Sequence, residues 1–79
     1  MARPFGAKTV VRRASPTTLA CIKRLQRALY YHGTAELYKH GARLIVVPPG
    51  ADKPAGLLVG VYTRGVFSND LLDDIEATP

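Results

Sequence analysis

The sequence predicts an α+β domain: a small, mostly antiparallel sheet with a long amphipathic helix and a short C-terminal helix, in the order β-α-β-β-β-α. Three observations point there. Residues 16–32 repeat apolar positions at helical spacing between a capping serine and a glycine. Residues 35–63 hold three β-rich runs separated by glycine- or proline-containing links. Near the end, Leu71, Leu72 and Ile75 recur at helical spacing among acids. A chain of 79 residues has room for one core, so residues 1–79 read as a single domain.

In chain order, Thr9-Val10-Val11-Arg12 follows Gly6 with β-branched residues, so residues 7–13 read as a short strand at the sheet's edge. Ser15-Pro16 then opens the long helix: the serine hydroxyl can accept an unpaired backbone N–H, and proline at the first helical position loses no bond it needed. Gly33 closes it, because glycine adopts the left-handed conformation common just past a helix end. Projected at about 100° per residue, Thr18, Cys21, Ile22, Leu25, Ala28, Leu29 and His32 fall on one arc. Lys23, Arg24, Arg27, Tyr30 and Tyr31 fall on the other, with Leu19 at its edge. The cations are therefore displayed and the apolar arc is buried.

Ala35-Glu-Leu-Tyr38 and Arg43-Leu-Ile-Val-Val47 flank Lys39-His40-Gly41-Ala42, a link of the hairpin kind. Residues 48–54 carry prolines at 48, 49 and 54, which donate no ladder N–H, and read as an ordered loop or a flexible flap. Leu57 to Thr63 is the next strand, and its nearly unbroken apolar run predicts a central position buried on both faces. Arg64-Gly65 makes a turn. Ser68 or Asp70 is expected to cap the last helix, with Leu71, Leu72 and Ile75 facing the body and Asp73, Asp74 and Glu76 facing water.

At 47% apolar and 22% charged residues, the composition is too hydrophobic for a disordered chain. A lone Cys21 allows no internal disulfide, so a reducing, cytoplasmic setting is expected. The longest apolar run, from Leu57 to Tyr62, contains Gly60 and is far too short to span a bilayer, so no membrane partner is expected. Charge is segregated: residues 1–64 carry +9 and residues 65–79 carry −4, which together make the net +5. A basic body attracts polyanions through long-range fields and counterion release.

The constellation with chemical meaning is the helix face bearing Lys23, Arg24, Arg27, Tyr30 and Tyr31, where cations can meet phosphates and rings can meet unstacked bases. Its plain alternative is a solvated helix whose arginine stems lie on tyrosine rings. A second basic set is Arg12, Arg13, Lys39 and Arg43, which would enlarge the patch if it shared that side. Catalytic candidates are thin. His32 and His40 lack partners at ligand spacing, Cys21 sits on the apolar arc, and Asp73-Asp74-Glu76 lack a calcium-loop pattern. Neither enzymatic activity nor a cofactor or metal is expected. An apolar strand left at an edge would invite pairing with a second copy or with another chain, so a homodimer through a sheet edge is on the table.

From Pro16 onward the α-β-β-β-α order resembles that of double-stranded-RNA-binding domains. What the resemblance implies is RNA contact through a lysine-rich segment opening the second helix. The matching stretch here, Ser68-Asn-Asp-Leu-Leu-Asp-Asp, is acidic, so no binding residue carries over. In size and absence of catalytic motif the chain is also similar to small phage-encoded regulators and anti-CRISPR inhibitors, which implies action by occupying a surface of a larger complex. The expectation is a small basic non-enzymatic regulator that docks on nucleic acid or a nucleoprotein complex through its cationic helix face. The alternative is an inhibitor that blocks a host protein complex by protein-protein contact.

Overall fold

The computed structural model describes residues 13–79 as α1 (Pro16–His32), β1 (Thr34–His40), β2 (Arg43–Val47), β3 (Leu57–Thr63) and α2 (Ser68–Ala77). The class is α+β, as the sequence predicts. The strand expected over residues 7–13 lies outside the described residues, save Arg13, which sits in a bend ahead of α1.

Both ends of α1 form as its sequence dictates. Ser15 is extended (φ −68°, ψ 156°) and its Oγ accepts the Thr18 N–H at 3.1 Å, while Pro16 takes the first turn. Gly33 is left-handed (φ 82°) and donates its N–H to the Leu29 carbonyl at 2.8 Å. Arg64 closes the same end from outside: Nε donates to the Leu29 carbonyl at 3.0 Å and Nη2 to that of Tyr30 at 2.9 Å. A cation there also meets the negative end of the helix dipole. Cys21, Ile22, Leu25 and Leu29 are buried, but His32, expected on the same arc, is exposed. It is the last helical residue, where the chain turns away through Gly33.

The sheet has the order β2-β1-β3, with both pairings antiparallel. Gly41 (φ 63°) supplies the positive φ that a two-residue hairpin turn of type II′ asks of its first position. β3, expected at the centre, is an edge strand among the described residues. The short hairpin forces β1 beside β2, and the long link after Val47 lets β3 reach the other edge of β1. Apolar content measures affinity for cover, not strand order, and here Leu57, Leu58 and Val61 stay about half exposed. β1 takes the central place, with Ala35, Leu37 and Tyr38 buried. Leu37 pairs with Gly60 and Tyr38 with Leu58, so Val59 is an inserted residue, a β-bulge.

Since β2 and β3 both run antiparallel to β1, they are parallel to each other, and residues 48–56 must carry the chain back along β1. They do so over the face away from the helices. Lys53 lies 3.6 Å from the Glu36 carboxylate, and Gly56 (φ 131°) passes so close to the Lys39 carbonyl that a Cβ would lie 2.8 Å from it. Val47 and Tyr38 are buried on that face outside the helix-side core.

On the other face, α1 packs over β1 and β2 and α2 packs against β3. Leu71, Leu72 and Ile75 join the α1 residues, Ala35, Leu37 and Tyr62 in one core, with Leu44 and Val46 packed against it. Neither Ser68 nor Asp70 caps α2: Phe67 occupies the cap position with no side-chain bond, and the Ser68 hydroxyl instead accepts from Gln26 Nε2 at 2.9 Å. Tyr62 lies over Gly60, where a Cβ would come 2.7 Å from its hydroxyl, and donates to Asp74 Oδ2 at 2.8 Å. Burial pushes the Tyr62 phenol well above its ordinary range, and the bond to and charge of Asp74 push the same way. Among the described residues, no helix is long and apolar enough to cross a membrane.

Candidate functional site

The exposed side of α1 divides in two. Arg24, Arg27, Ala28, Tyr31 and His32 are related by three- and four-residue steps and turn toward β2. Gln26 and Tyr30 turn toward the link between β3 and α2, where they border a smaller cleft of about 290 Å³ with Arg64 and Val66. Lys23 is exposed and borders neither space. Tyr30 and Tyr31 remain in contact at the divide, ring centroids 5.3 Å apart and edge to face, and each is 71% exposed.

Between α1 and β2 lies an open groove of about 560 Å³. Among the described residues β2 pairs with β1 on one side only, so its other edge faces this space with alternate backbone N–H and C=O groups pointing outward. Arg24, Arg27, His32, Arg43 and Tyr31 form the rim, and Ala28, Leu44, Val46 and Pro48 form the floor, with Ile45, whose side chain alternates to the other face, lining the space at the strand edge. Among the described residues, no carboxylate lines it. α1 leads through Gly33 into β1 and β2 reverses direction, so helix and edge strand run the same way along the groove.

The helix and hairpin basic sets are therefore joined in part. Arg43 meets Arg24 and Arg27 across the groove, as the enlarged-patch expectation requires. Lys39 does not join them, because its Nζ donates to the carbonyls of Ile75 (3.3 Å) and Thr78 (2.8 Å) at the end of α2. Arg13 is exposed ahead of α1 and does not border the groove; Arg12 lies outside the described residues. His32 is the rim residue that the helical projection misplaced. The signal that finds it is its four-residue step from Ala28 and eight-residue step from Arg24.

The titratable side chains near the groove are few among the described residues. Cys21 is fully buried, and burial raises its thiol pKa, with Arg24 opposing more weakly. His32 is in the groove while His40 is at the hairpin end of β1. Among the described residues, no group of three His, Cys, Asp or Glu side chains is placed to hold a metal ion, and no polar or charged residue is buried. What the site offers is fixed positive charge, one open ring face, an apolar floor and a strand edge that no described strand pairs. No protein-family model matches the chain, and no curated protein or solved structure matches it significantly.

Proposed function

We propose that this chain is a small non-enzymatic regulator of the cytoplasm that docks on nucleic acid, alone or within a nucleoprotein complex, through the groove between α1 and β2. The observation that carries this reading is the convergence of Arg24, Arg27 and Arg43 from two separate elements onto one space that no carboxylate among the described residues lines. Phosphates spaced along a strand can each replace condensed counterions with one of these guanidiniums.

The test is fluorescence anisotropy of a labelled mixed-sequence oligonucleotide across a salt series. Affinity should fall steeply between about 50 and 200 mM salt, and Arg24→Ala, Arg27→Ala and Arg43→Ala should each reduce the magnitude of the log–log slope by about 0.7 to 0.9. No binding at the lowest salt would overturn the reading.

A second reading rests on a different surface. Leu58 (49% exposed) and Val61 (59%) lie on the loop-side face of β3, and Phe67 (67%) stands at the α2 cap. Such a patch beside an unpaired edge suits protein contact, either with a host protein complex that the chain would inhibit or with a second copy paired edge to edge. Capture of a partner that survives nuclease treatment and is lost on Val61→Asp favours the first. A dimer in sedimentation that the same change disperses favours the second.

A further inference from the structure

We infer that the groove is built for an unpaired strand of nucleic acid and not for a duplex, an inference that rests on the nucleic-acid reading of the same groove. Four of its features correspond to four parts of a single-stranded nucleotide chain. Arg24, Arg27 and Arg43 match successive phosphates. The 71% exposed Tyr31 ring, braced edge-on by Tyr30, presents a face on which a base can stack. Leu44, Val46 and Pro48 provide an apolar floor that loses water when a flat base or sugar covers it. The N–H and C=O groups on the outer edge of β2, which no described strand pairs, are donors and acceptors for base edges.

A duplex presents only the first of these parts. Its base faces are stacked on each other and its Watson–Crick edges are paired, so it would meet the arginines while leaving the ring, the floor and the strand edge unused. The groove also lies recessed between helix and strand. α1 is packed against β1 and β2 along one side and is joined to α2 by the Gln26–Ser68 bond. Sugar type is left open by this chemistry, since ring, floor and arginines act on base and phosphate.

The experiment compares an oligo-dT of about ten nucleotides, the matching oligo-U, a mixed-sequence duplex of the same length and poly-glutamate, at one salt concentration. The single strands should bind about tenfold or more tighter than the duplex, and poly-glutamate should bind no better than the duplex. Tyr31→Leu keeps apolar bulk and removes the ring face; it should weaken single-strand binding about tenfold with an unchanged salt slope, while Tyr31→Phe restores it. Because Tyr31 is exposed, circular dichroism should report the same fold for both. A duplex that binds as tightly as the single strands, or Tyr31→Leu binding like the unaltered chain, overturns this inference and leaves the groove a general phosphate site. Poly-glutamate binding as well as oligo-dT overturns it in favour of an acidic protein segment. Failure of every oligonucleotide at low salt sinks the nucleic-acid reading itself.

Discussion

The two flanks of the sheet are built alike and finished differently. Each has an edge strand, β2 or β3, with a helix packed beside it on the same face. On the α1/β2 flank, Arg24, Arg27 and Arg43 line an open groove. On the α2/β3 flank the polar groups are tied into the fold: Tyr62 to Asp74, Gln26 to Ser68, Lys39 to the last carbonyls of α2, and Arg64 to those of α1. Counting charges would rate Lys39 and Arg43 equal; their surroundings separate a structural clasp from a presented cation. A +5 chain is therefore less informative than the location of the arginines that hold nothing else in place among the described residues.

The harshest way to break the comparison is to show that the flanks are separate bodies. Leu25 on α1 and Leu71 on α2 are both fully buried in one cluster. Leu25→Ala and Leu71→Ala should each lower stability by about 2 to 5 kcal/mol, through lost transfer energy and the cavity left behind. In each case urea melts followed by circular dichroism and by tyrosine fluorescence should coincide. If Leu71→Ala melts α2 alone, the shared core is wrong.

A milder test exchanges charge without touching packing. Arg24→Ala, Arg27→Ala and Arg43→Ala combined should flatten the single-strand salt slope by about 2, so the unaltered chain loses about 20-fold more affinity than the variant between about 50 and 200 mM salt. Lys39→Ala should behave the opposite way. It frees the end of α2 and lowers stability by about 1 to 2 kcal/mol, as expected for a lost charged hydrogen bond, while the salt slope stays unchanged. A flattened slope in a folded Lys39→Ala protein would erase the distinction between clasp and presented cation.

The α2/β3 flank also makes a pH prediction. Tyr62 is held neutral in the folded state, raised from the ordinary phenol value of 10.0 first by burial and then by Asp74. The unfolded phenol ionises first, so this group's contribution is complete below about pH 10 and is lost as pH rises from there through the folded value. Urea midpoints measured from about pH 8 to 11 should fall more steeply for the unaltered chain than for Tyr62→Phe, which has no proton to lose. Part of the tyrosinate absorbance should also appear late in the unaltered chain and vanish in that variant. Parallel slopes would show that Tyr62 is not protected.

Much of this was legible in the sequence because local chemistry decided it. Ser15, Pro16 and Gly33 carry their own geometry, the glycine-containing link is a hairpin in any context, and helical spacing finds Cys21, Ile22, Leu25, Leu29, Leu71, Leu72 and Ile75. What was not legible depends on partners distant in sequence. The edge position of β3 follows from how residues 48–56 cross the sheet, which no apolar run encodes. Lys39 leaves the basic set because residues 75 and 78 arrive beside it, and Tyr62 needs Gly60 and Asp74 together. The groove is half legible: the Arg24, Arg27 and Tyr31 steps can be read along one helix, but Arg43 joins them only once β2 lies alongside.

The smallest expected effect sits at the two helix starts, where the flanks differ by one hydroxyl. α1 begins on Ser15, whose Oγ accepts a first-turn N–H; α2 begins on Phe67, which has the extended geometry a cap requires (φ −84°, ψ 143°) and no group to use it. Ser15→Ala should therefore cost about 0.5 to 2 kcal/mol, and Phe67→Ser should gain about 0.5 to 1 kcal/mol, read from urea midpoints. Phe67 is 67% exposed, so little buried area is lost to offset the new bond. Asp70, the acid in the first turn, stays in place in both proteins and cannot account for the difference. An uncapped helix start bearing an exposed phenylalanine gives up stability for something, and protein contact is what the second reading assigns to it. If Phe67→Ser is stabilised and still captures the same nuclease-resistant partner, Phe67 plays no part in binding. If it is stabilised and loses that partner while keeping its oligonucleotide affinity, the two flanks carry two separate binding surfaces.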